Sequence, residues 1–494
     1  MSAQAPLSIT PDLLARYNIS GPRYTSYPTA DRFTPGFGCG DLIKALRQQA
    51  AAAGDTPQPL SVYVHIPFCA SLCYFCACNK IITRHREWAA DYLQQLGQEL
   101  ALYQPYLEQL AGAANRPTVT QLHLGGGSPT FLSDDELAQL MQLLQGFFHF
   151  DAKGEFSIEV DPRTVDAQRM QHLKQLGFNR VSFGIQDFDT AVQQAVHRVQ
   201  PAEQVFALVQ AARAAGFASI NTDLIYGLPH QSAASFTHTL EQICALRPDR
   251  IALYAYAHLP ERFKAQRRID SQILPSGNDK IHLLAMALQH FRQAGYVYVG
   301  MDHFALPEDE LAQAKQQGKL QRNFQGYSTR PDQNLIGLGV SAISRIGACY
   351  SQNAKTLDAY GELLENDQLP VERGLQLTRD DQIRHTVIMS IMCQGEVLFE
   401  ALQRDWQIDF ASYFATEISR LEQLQEQGLL TLHADRFCVT DMGWYFVRAV
   451  AMVFDHHLQT ARAQAASAGN ACNSASAPHL ADCAEQPVRF SKIL

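Results

Sequence analysis

The sequence predicts an α/β fold, a partial (β/α) barrel with an amino-terminal arm before it and a small helical, winged-helix-like domain after it. Three observations carry this reading. Short β-rich runs end in polar or Gly/Pro residues and are each followed by a helical stretch. The chemically unusual residues gather at the ends of those runs, where a (β/α) barrel builds its active site. Beyond about residue 375 the pattern becomes helical.

Residues 1–59 open with a helical stretch and continue into GPRYTSYPTADRF (21–33), which is too rich in Pro, Gly and Tyr for a regular helix and reads as an ordered arm. From residue 60 the rhythm sets in, with LSVYVHIPF (60–68), TQLHLGGG (120–127), FSIEVDPR (156–163), RVSFGIQDF (180–188), SINTDLIYGLP (219–229) and RIALYAYAHLP (250–260). Six such units in series predict a parallel sheet with crossover helices over 60–374. YVYVGMDHFA (296–305) is expected as a seventh strand, and NFQGYSTRPDQNLIGLGVSAIS (323–344) as a substrate-facing loop and turn region. Residues 375–460 form the helical domain, with a strand pair near LLTLHADRFCVT (429–440). Residues 461–494 are expected as an Ala/Ser-rich flexible insert (461–487), carrying Cys472 and Cys483, and a closing VRFSKIL.

With 494 residues, 46% hydrophobic and 18% charged, the chain can bury a large core and a satellite domain, which excludes a disordered or fibrous protein. The 40 Lys and Arg stand against 49 Asp and Glu, and a net charge of -9 disfavours a broad polyanion-binding surface, so nucleic acid is not the expected partner. A few converging Arg residues could still hold a small anion. The opening MSAQAPLSITPDLLARYN lacks a basic start and an unbroken apolar stretch, and no run is long enough to span a bilayer. A cytoplasmic protein without membrane contact is therefore expected.

Of 11 cysteines, four crowd together as Cys69, Cys73, Cys76 and Cys78, directly after the first predicted strand. In a cytoplasmic chain such a group points to metal rather than disulfide. A C-x3-C-x2-C loop suits a [4Fe–4S] cluster, in which three thiolates leave one iron open to a chelating ligand. Structural zinc is the other reading, since Cys78 supplies a fourth sulfur. Zinc modules usually bring two separated pairs, however, not four ligands in one short loop.

The spacing Cys69-x3-Cys73-x2-Cys76, preceded by Tyr-x-His-Ile-Pro-Phe, resembles the radical S-adenosylmethionine superfamily. Within it, GPRYTSYPTA, YVHIPFC, CYFCACNK, GGGSPTFL, IEVDPR, FGIQDF, DLIYGLP, YAHLP, GMDHFA, RNFQGY, GVSAIS and LTRDDQIR resemble the oxygen-independent coproporphyrinogen III dehydrogenases (oxidases). The resemblance implies a barrel of radical SAM type, with the cluster on Cys69, Cys73 and Cys76. It implies S-adenosylmethionine contacts from Tyr63, Gly126, Gly127, Ser128, Glu159, Gln186, Arg198, Asp223, Ala257 and Ile343. Taken singly, most of these would be satisfied strand-end polar groups or core residues.

The activity so implied converts two propionate side chains of coproporphyrinogen III to vinyl groups, giving protoporphyrinogen IX, with two S-adenosylmethionine per turnover. No catalytic residue beyond the cluster and cofactor is implied. A wide apolar macrocycle with four carboxylates calls for aromatic faces and Arg donors. Arg23, Tyr24 and Tyr27 in the arm and Arg322, Phe324, Gln325 and Tyr327 in RNFQGY have that chemistry, while Arg262, Arg267 and Arg268 read as a solvated helix face or a further contribution. Cys78 is a further functional candidate. The arm is expected to cover the barrel mouth, the chain to be a monomer, and an electron donor and acceptor to be required. Two other functions compete. A haem chaperone shares barrel and cluster but typically lacks the YTSYP arm and the extra cysteine. A nucleic-acid regulator would need a basic recognition helix, which the acidic balance opposes.

Overall fold

The computed structural model describes residues 17, 20–54, 56, 58–114, 116–330 and 333–472. The chain divides into two units, one of residues 33–376 and one formed by the two ends, up to Arg32 and from Leu377. The expected boundaries differ. Residues 33–59 go with the barrel, because Thr34 exchanges backbone hydrogen bonds with Gly374 and the helix Cys39–Ala53 buries Leu42, Ala45 and Leu46 in the barrel core.

In the larger unit the strands are β1 (Leu60–Ile66), β2 (Phe68–Cys69), β3 (Ile81–Ile82), β4 (Thr118–Gly126), β5 (His149–Val160), β6 (Arg180–Gln186), β7 (Ser219–Tyr226) and β8 (Arg250–Ala255). They continue as β9 (Val297–Gly300), β10 (His303–Ala305), β11 (Gln321–Asn323), β12 (Gly326–Ser328), β13 (Asn334–Leu338), β14 (Ile343–Ile346), β15 (Cys349–Asn353) and β16 (Val371–Gln376). Twelve of them form one sheet in the order β16-β15-β14-β13-β1-β4-β5-β6-β7-β8-β10-β9. The run from β13 through β1 and β4 to β8 is parallel, and both flanks are antiparallel.

The six expected strands are β1 and β4 to β8. The seventh is not where the sequence placed it. Residues 296–305 fold into β9 and β10, antiparallel to each other, because Met301 and Asp302 take positive φ angles of 40° and 70° and turn the chain back. The seventh parallel strand is β13, inside the stretch expected as loop. Its Leu335, Ile336 and Leu338 are buried, as in a strand covered on both faces.

Crossover helices cover the sheet. In Asp134–Phe147 the buried residues Leu137, Leu140, Met141 and Leu144 recur at helical spacing. Ser133 and Glu136 form a capping box that satisfies orphan amides at its start. Each such leucine contributes roughly 1.5–3 kcal/mol by leaving water.

A buried buttress fixes the entry to the cysteine loop. Glu99, in the helix Glu87–Ala111, is fully buried and accepts from the Gly339 amide (2.7 Å), Asn353 Nδ2 (2.7 Å) and Tyr360 Oη (2.6 Å). Tyr92 Oη, two turns before it, donates to the His65 carbonyl (2.7 Å) and accepts from the Val340 amide (2.9 Å). Together they hold the end of β1 against the turn leading into β14. Gly339 has φ +92°, and a Cβ there would meet the Tyr92 hydroxyl at 2.2 Å, so glycine is required.

In the smaller unit, helices surround a three-stranded antiparallel sheet of β17 (Glu396–Leu398), β18 (Leu430–Leu432) and β19 (Arg436–Val439), in keeping with the expected helical domain. The arm is fastened here. Tyr24 and Tyr27 are fully buried, Tyr24 Oη donates to Asp455 (2.9 Å), Tyr27 Oη accepts from the His456 amide, and Arg448 holds the Gly21 carbonyl. The Tyr24 and Tyr27 side chains, expected as candidate substrate contacts, are thus buried within this unit. Residues 461–472 extend the helix His456–Cys472 and are not a flexible insert; residues 473–494, with Cys483 and VRFSKIL, lie outside the described residues.

Candidate active site

The carboxyl ends of the parallel strands open onto a cavity of about 290 Å³. Cys69, Cys73, Cys76 and Cys78 line one side; Gly126, Gly127 and Ser128 another. Glu159, Gln186, Arg198 and Asp223 complete the wall. Residues from five strand ends and the intervening loops are thus brought to one place. Tyr63, Ala257 and Ile343 do not line this cavity. Tyr63 lies behind it, with Oη 3.0 Å from His65 Nδ1 and its ring stacked on His123.

The cysteine loop is pinned from several directions. Ile81 and Thr83 amides bond the Pro67 and Cys69 carbonyls, which pairs β2 with β3. The Tyr74 amide donates to Val196 O, and the Tyr74 ring stacks on His197 at 5.1 Å. Lys80 Nζ donates to the Cys76 carbonyl (3.0 Å). Gln266, 1% exposed, donates from Nε2 to the carbonyls of both Phe75 (3.0 Å) and Ala257 (3.2 Å). That glutamine ties Ala257 to the loop, and nothing in its sequence surroundings marks it.

The glycine run is tight by necessity. A Cβ on Gly126 would lie 2.5 Å from the His65 ring, and one on Gly127 2.6 Å from the Pro67 carbonyl. His65 Nε2 faces the Asn79 carbonyl (3.0 Å), which can only accept, so Nε2 carries the proton and Nδ1 accepts from Tyr63. Burial lowers the His65 pKa, which keeps the ring neutral.

Two carboxylates face the cavity with opposite tendencies. The Glu159 side chain lies deep in the barrel yet is 43% accessible, because it opens on the cavity. Burial pushes its pKa up, but the His123 ring (Nε2 to Oε1, 3.2 Å) and the Gly126 amide (3.3 Å) outweigh this and hold it below the usual range. Asp223 accepts from Ser182 Oγ (3.0 Å) and Asn221 Nδ2 (2.9 Å), yet burial and the Glu159 charge push it up to about 6. Gln186 has φ 70°, an unusual backbone state for a non-glycine residue, at the cavity wall.

These residues fit a [4Fe–4S] cluster with S-adenosylmethionine. Among the described residues no three His, Cys, Asp or Glu side chains converge on a point for one metal ion. A cubane does not need that, since each thiolate binds a different iron. Burial and the neighbouring thiols push Cys69 up to about 12, so it becomes a thiolate only when metal displaces the proton. Arg198 lines the cavity, is 7% exposed, donates to Gly184 O (2.6 Å), and among the described residues leaves Nε buried without a partner; its guanidinium suits a ligand carboxylate.

The proposed tetrapyrrole contacts lie elsewhere. Arg322 is buried with its guanidinium 4.6 Å from the Tyr327 ring centroid, and that ring meets His303 edge-on, which in turn meets the cavity residue Tyr254. Phe324 packs edge-on against Tyr350, and Gln325 Nε2 donates to Val62 O while its Oε1 is buried without a partner among the described residues. Arg23 is half-buried in the smaller unit, and Arg262, Arg267 and Arg268 stand beyond β8, with Arg268 over the Tyr74 ring.

The radical SAM superfamily profile matches residues 63–243, and the profile of the HemN C-terminal domain matches residues 377–446. An oxygen-independent coproporphyrinogen III oxidase from Pseudomonas aeruginosa is 48% identical over 92% of this chain and 97% of its own length. The chain belongs to the oxygen-independent coproporphyrinogen III oxidase family. The Escherichia coli member is 46% identical over 92% of this chain and 96% of its own. The solved structure of coproporphyrinogen III oxidase (HemN) from Escherichia coli, described as a radical SAM enzyme, superposes with a TM-score of 0.83 at 45% identity, covering 88% of this chain and 97% of that one. The α/β barrel with its helical carboxy-terminal part is thus the fold of this family, and the two profiles fall on the barrel and on the smaller unit.

Proposed function

We propose that the chain is a radical SAM oxidoreductase of haem biosynthesis that converts two propionates of coproporphyrinogen III to vinyl groups, releasing two carbon dioxide and protoporphyrinogen IX. The observation that carries it is the convergence of Cys69, Cys73 and Cys76 with Glu159, Asp223 and Arg198 on one cavity, in a chain of this family. When bound, the [4Fe–4S] cluster and S-adenosylmethionine supply a 5′-deoxyadenosyl radical able to take a hydrogen atom from the propionate β-carbon. Cys69, Cys73 and Cys76 would hold the cluster. Arg198 receives the cofactor carboxylate, Gly126, Gly127 and Ser128 let backbone approach its methionyl part, and Glu159 and Asp223 accept from its amino and hydroxyl groups. Tyr63, Gln186, Ala257 and Ile343 complete the proposed cofactor set.

Arg322 with Tyr327, Phe324 and Gln325 provides the cationic and aromatic surface that a tetracarboxylate macrocycle requires. Holding the reacting carbon in place and excluding water is the main task of this surface. Two S-adenosylmethionine are used per turnover, one for each propionate. An electron donor for the cluster, and an acceptor for the one electron released per vinyl group formed, would be required. The protein acts as a monomer in the cytoplasm; among the described residues no helix is long and apolar enough to cross a membrane. Anaerobic incubation of reconstituted protein with coproporphyrinogen III, S-adenosylmethionine and a reductant should yield protoporphyrinogen IX. Haem binding without any such product would move the assignment to a chaperone.

A further inference from the structure

Two arginines meet on one cysteine. Arg163 Nη2 and Arg198 Nη1 each lie 3.4 Å from Cys73 Sγ, the most buried sulfur of the loop. Asp161 locks both: its Oδ1 takes Arg163 Nε at 3.0 Å, and its Oδ2 takes Arg163 Nη2 at 2.7 Å and Arg198 Nη1 at 3.3 Å. Two guanidiniums against one carboxylate leave a net positive charge beside the sulfur. The Arg163 and Asp161 side chains are 18% and 11% accessible, so solvent screens this charge weakly. The two arginines differ in what they have left to give. Among the described residues, Arg198 also bonds Gly184 O and leaves a buried Nε without a partner, whereas the side-chain bonds of Arg163 go to Asp161 and to Cys73.

We propose that Arg163 sets the reduction potential of the [4Fe–4S] cluster by donating to the Cys73 thiolate. The inference rests on the reading that Cys73 is a cluster ligand. Reduction adds negative charge to the cluster and its sulfurs. A donor and a net positive charge at a ligand sulfur stabilise that state more than the oxidised one, which raises the potential. Asp161 orients the guanidinium, and its bidentate grip keeps the third contact aimed at sulfur.

The test uses full-length reconstituted wild type, Arg163→Gln and Arg163→Lys, with iron and sulfide counted and the midpoint measured by dye-mediated titration of the reduced cluster's spin-resonance signal. Arg163→Gln should keep its iron, and at the wild-type midpoint its ratio of reduced to oxidised cluster should fall about tenfold, a shift of about 59 mV for a one-electron couple. Arg163→Lys, which keeps the charge but not the fork, should fall between. A full iron count with an unshifted midpoint in Arg163→Gln overturns the proposal. If Arg163→Gln cannot hold iron, Arg163→Lys decides: a lowered midpoint supports the role, an unshifted one overturns it, and loss of iron there too makes the residue a support for cluster retention instead. A wild type that assembles no cluster would withdraw the reading of the three cysteines itself, which an intact wild-type cluster with unshifted variants would not.

Discussion

Nε2 of His123 lies 3.2 Å from Oε1 of Glu159, and this contact separates the charge states of the two carboxylates at the cavity. Glu159 stays ionised, and its negative charge is one reason that Asp223 sits at about 6. Cofactor affinity should therefore fall as pH drops from neutral through about 6, because Asp223 becomes protonated and loses acceptor capacity. The stability sign is the reverse. A folded-state pKa raised above the unfolded value contributes stability that is present at low pH and lost as pH rises through about 6. Asp223→Asn should accordingly weaken cofactor binding at neutral pH, abolish the transition near 6 and leave the fold as stable or more so. Calorimetric titration with S-adenosylmethionine across this range, beside thermal melts, measures both; a wild-type profile that stays flat through about 6 counts against Asp223 as a cofactor contact.

Glu159→Ala should lower S-adenosylmethionine affinity by about 10- to 100-fold, the loss of one charge-assisted bond of roughly 1.5–3 kcal/mol, while iron content is kept. It also frees the Gly126 amide and the His123 ring, so the melting temperature must be compared. Normal affinity in a folded variant would make Glu159 a purely structural brace.

Replacing Cys69, Cys73 or Cys76 by Ser should each abolish the cluster, whereas Cys78→Ser should retain it. Cys78 is exposed on the cavity and hydrogen-bonds to Cys76, which favours the thiolate on Cys76. Iron analysis and the reduced-state spin-resonance signal distinguish the cases. Complete loss of iron in Cys78→Ser would favour ligation by four cysteines.

Glu99→Leu should destabilise the barrel by about 3 kcal/mol or more, since three buried donors lose their acceptor at roughly 1–3 kcal/mol each. Tyr92→Phe should cost less. Burial holds Glu99 up at about 7, so the wild-type contribution is present at low pH and is lost as pH rises through about 7; Glu99→Gln removes that slope. Denaturant melts on either side of neutrality read the difference.

The β/α rhythm of residues 60–260 was legible because each strand ends in a polar or Gly/Pro signal and each helix carries a continuous apolar face. The strand β13 was not. Its apolar run is short, and only pairing with β1 across most of the barrel sequence makes it a strand. The cysteine loop stood out by its spacing, whereas the glycine run, Glu159 and Asp223 were singled out by the family resemblance and would alone read as a tight turn and satisfied strand-end groups; the structure brings them to one cavity. Asp161 and Arg163 stand in the quoted IEVDPR motif but carry no local sign that they turn toward Cys73. Gln266 and Glu99 are invisible in sequence, because a polar residue in a helical stretch reads as solvent-facing unless its distant partners are known. The burial of Tyr24 was equally illegible: an aromatic in an arm looks like a surface contact until Asp455 is placed against its hydroxyl.

The position of β1 in the sheet has a consequence for how the protein is made. This strand leads into the cysteine loop, and its two neighbours are β4, which follows soon after, and β13, which begins only at Asn334. At about 5–20 residues per second, a ribosome leaves that side of β1 without its partner for on the order of tens of seconds. An unpaired, apolar strand edge is a template for association with other chains. The cysteine loop is thus among the first parts of the barrel to be synthesised, and one side of the strand before it is covered late. A chain ended between β8 and β13 would carry an intact cysteine motif but an open sheet edge beside it.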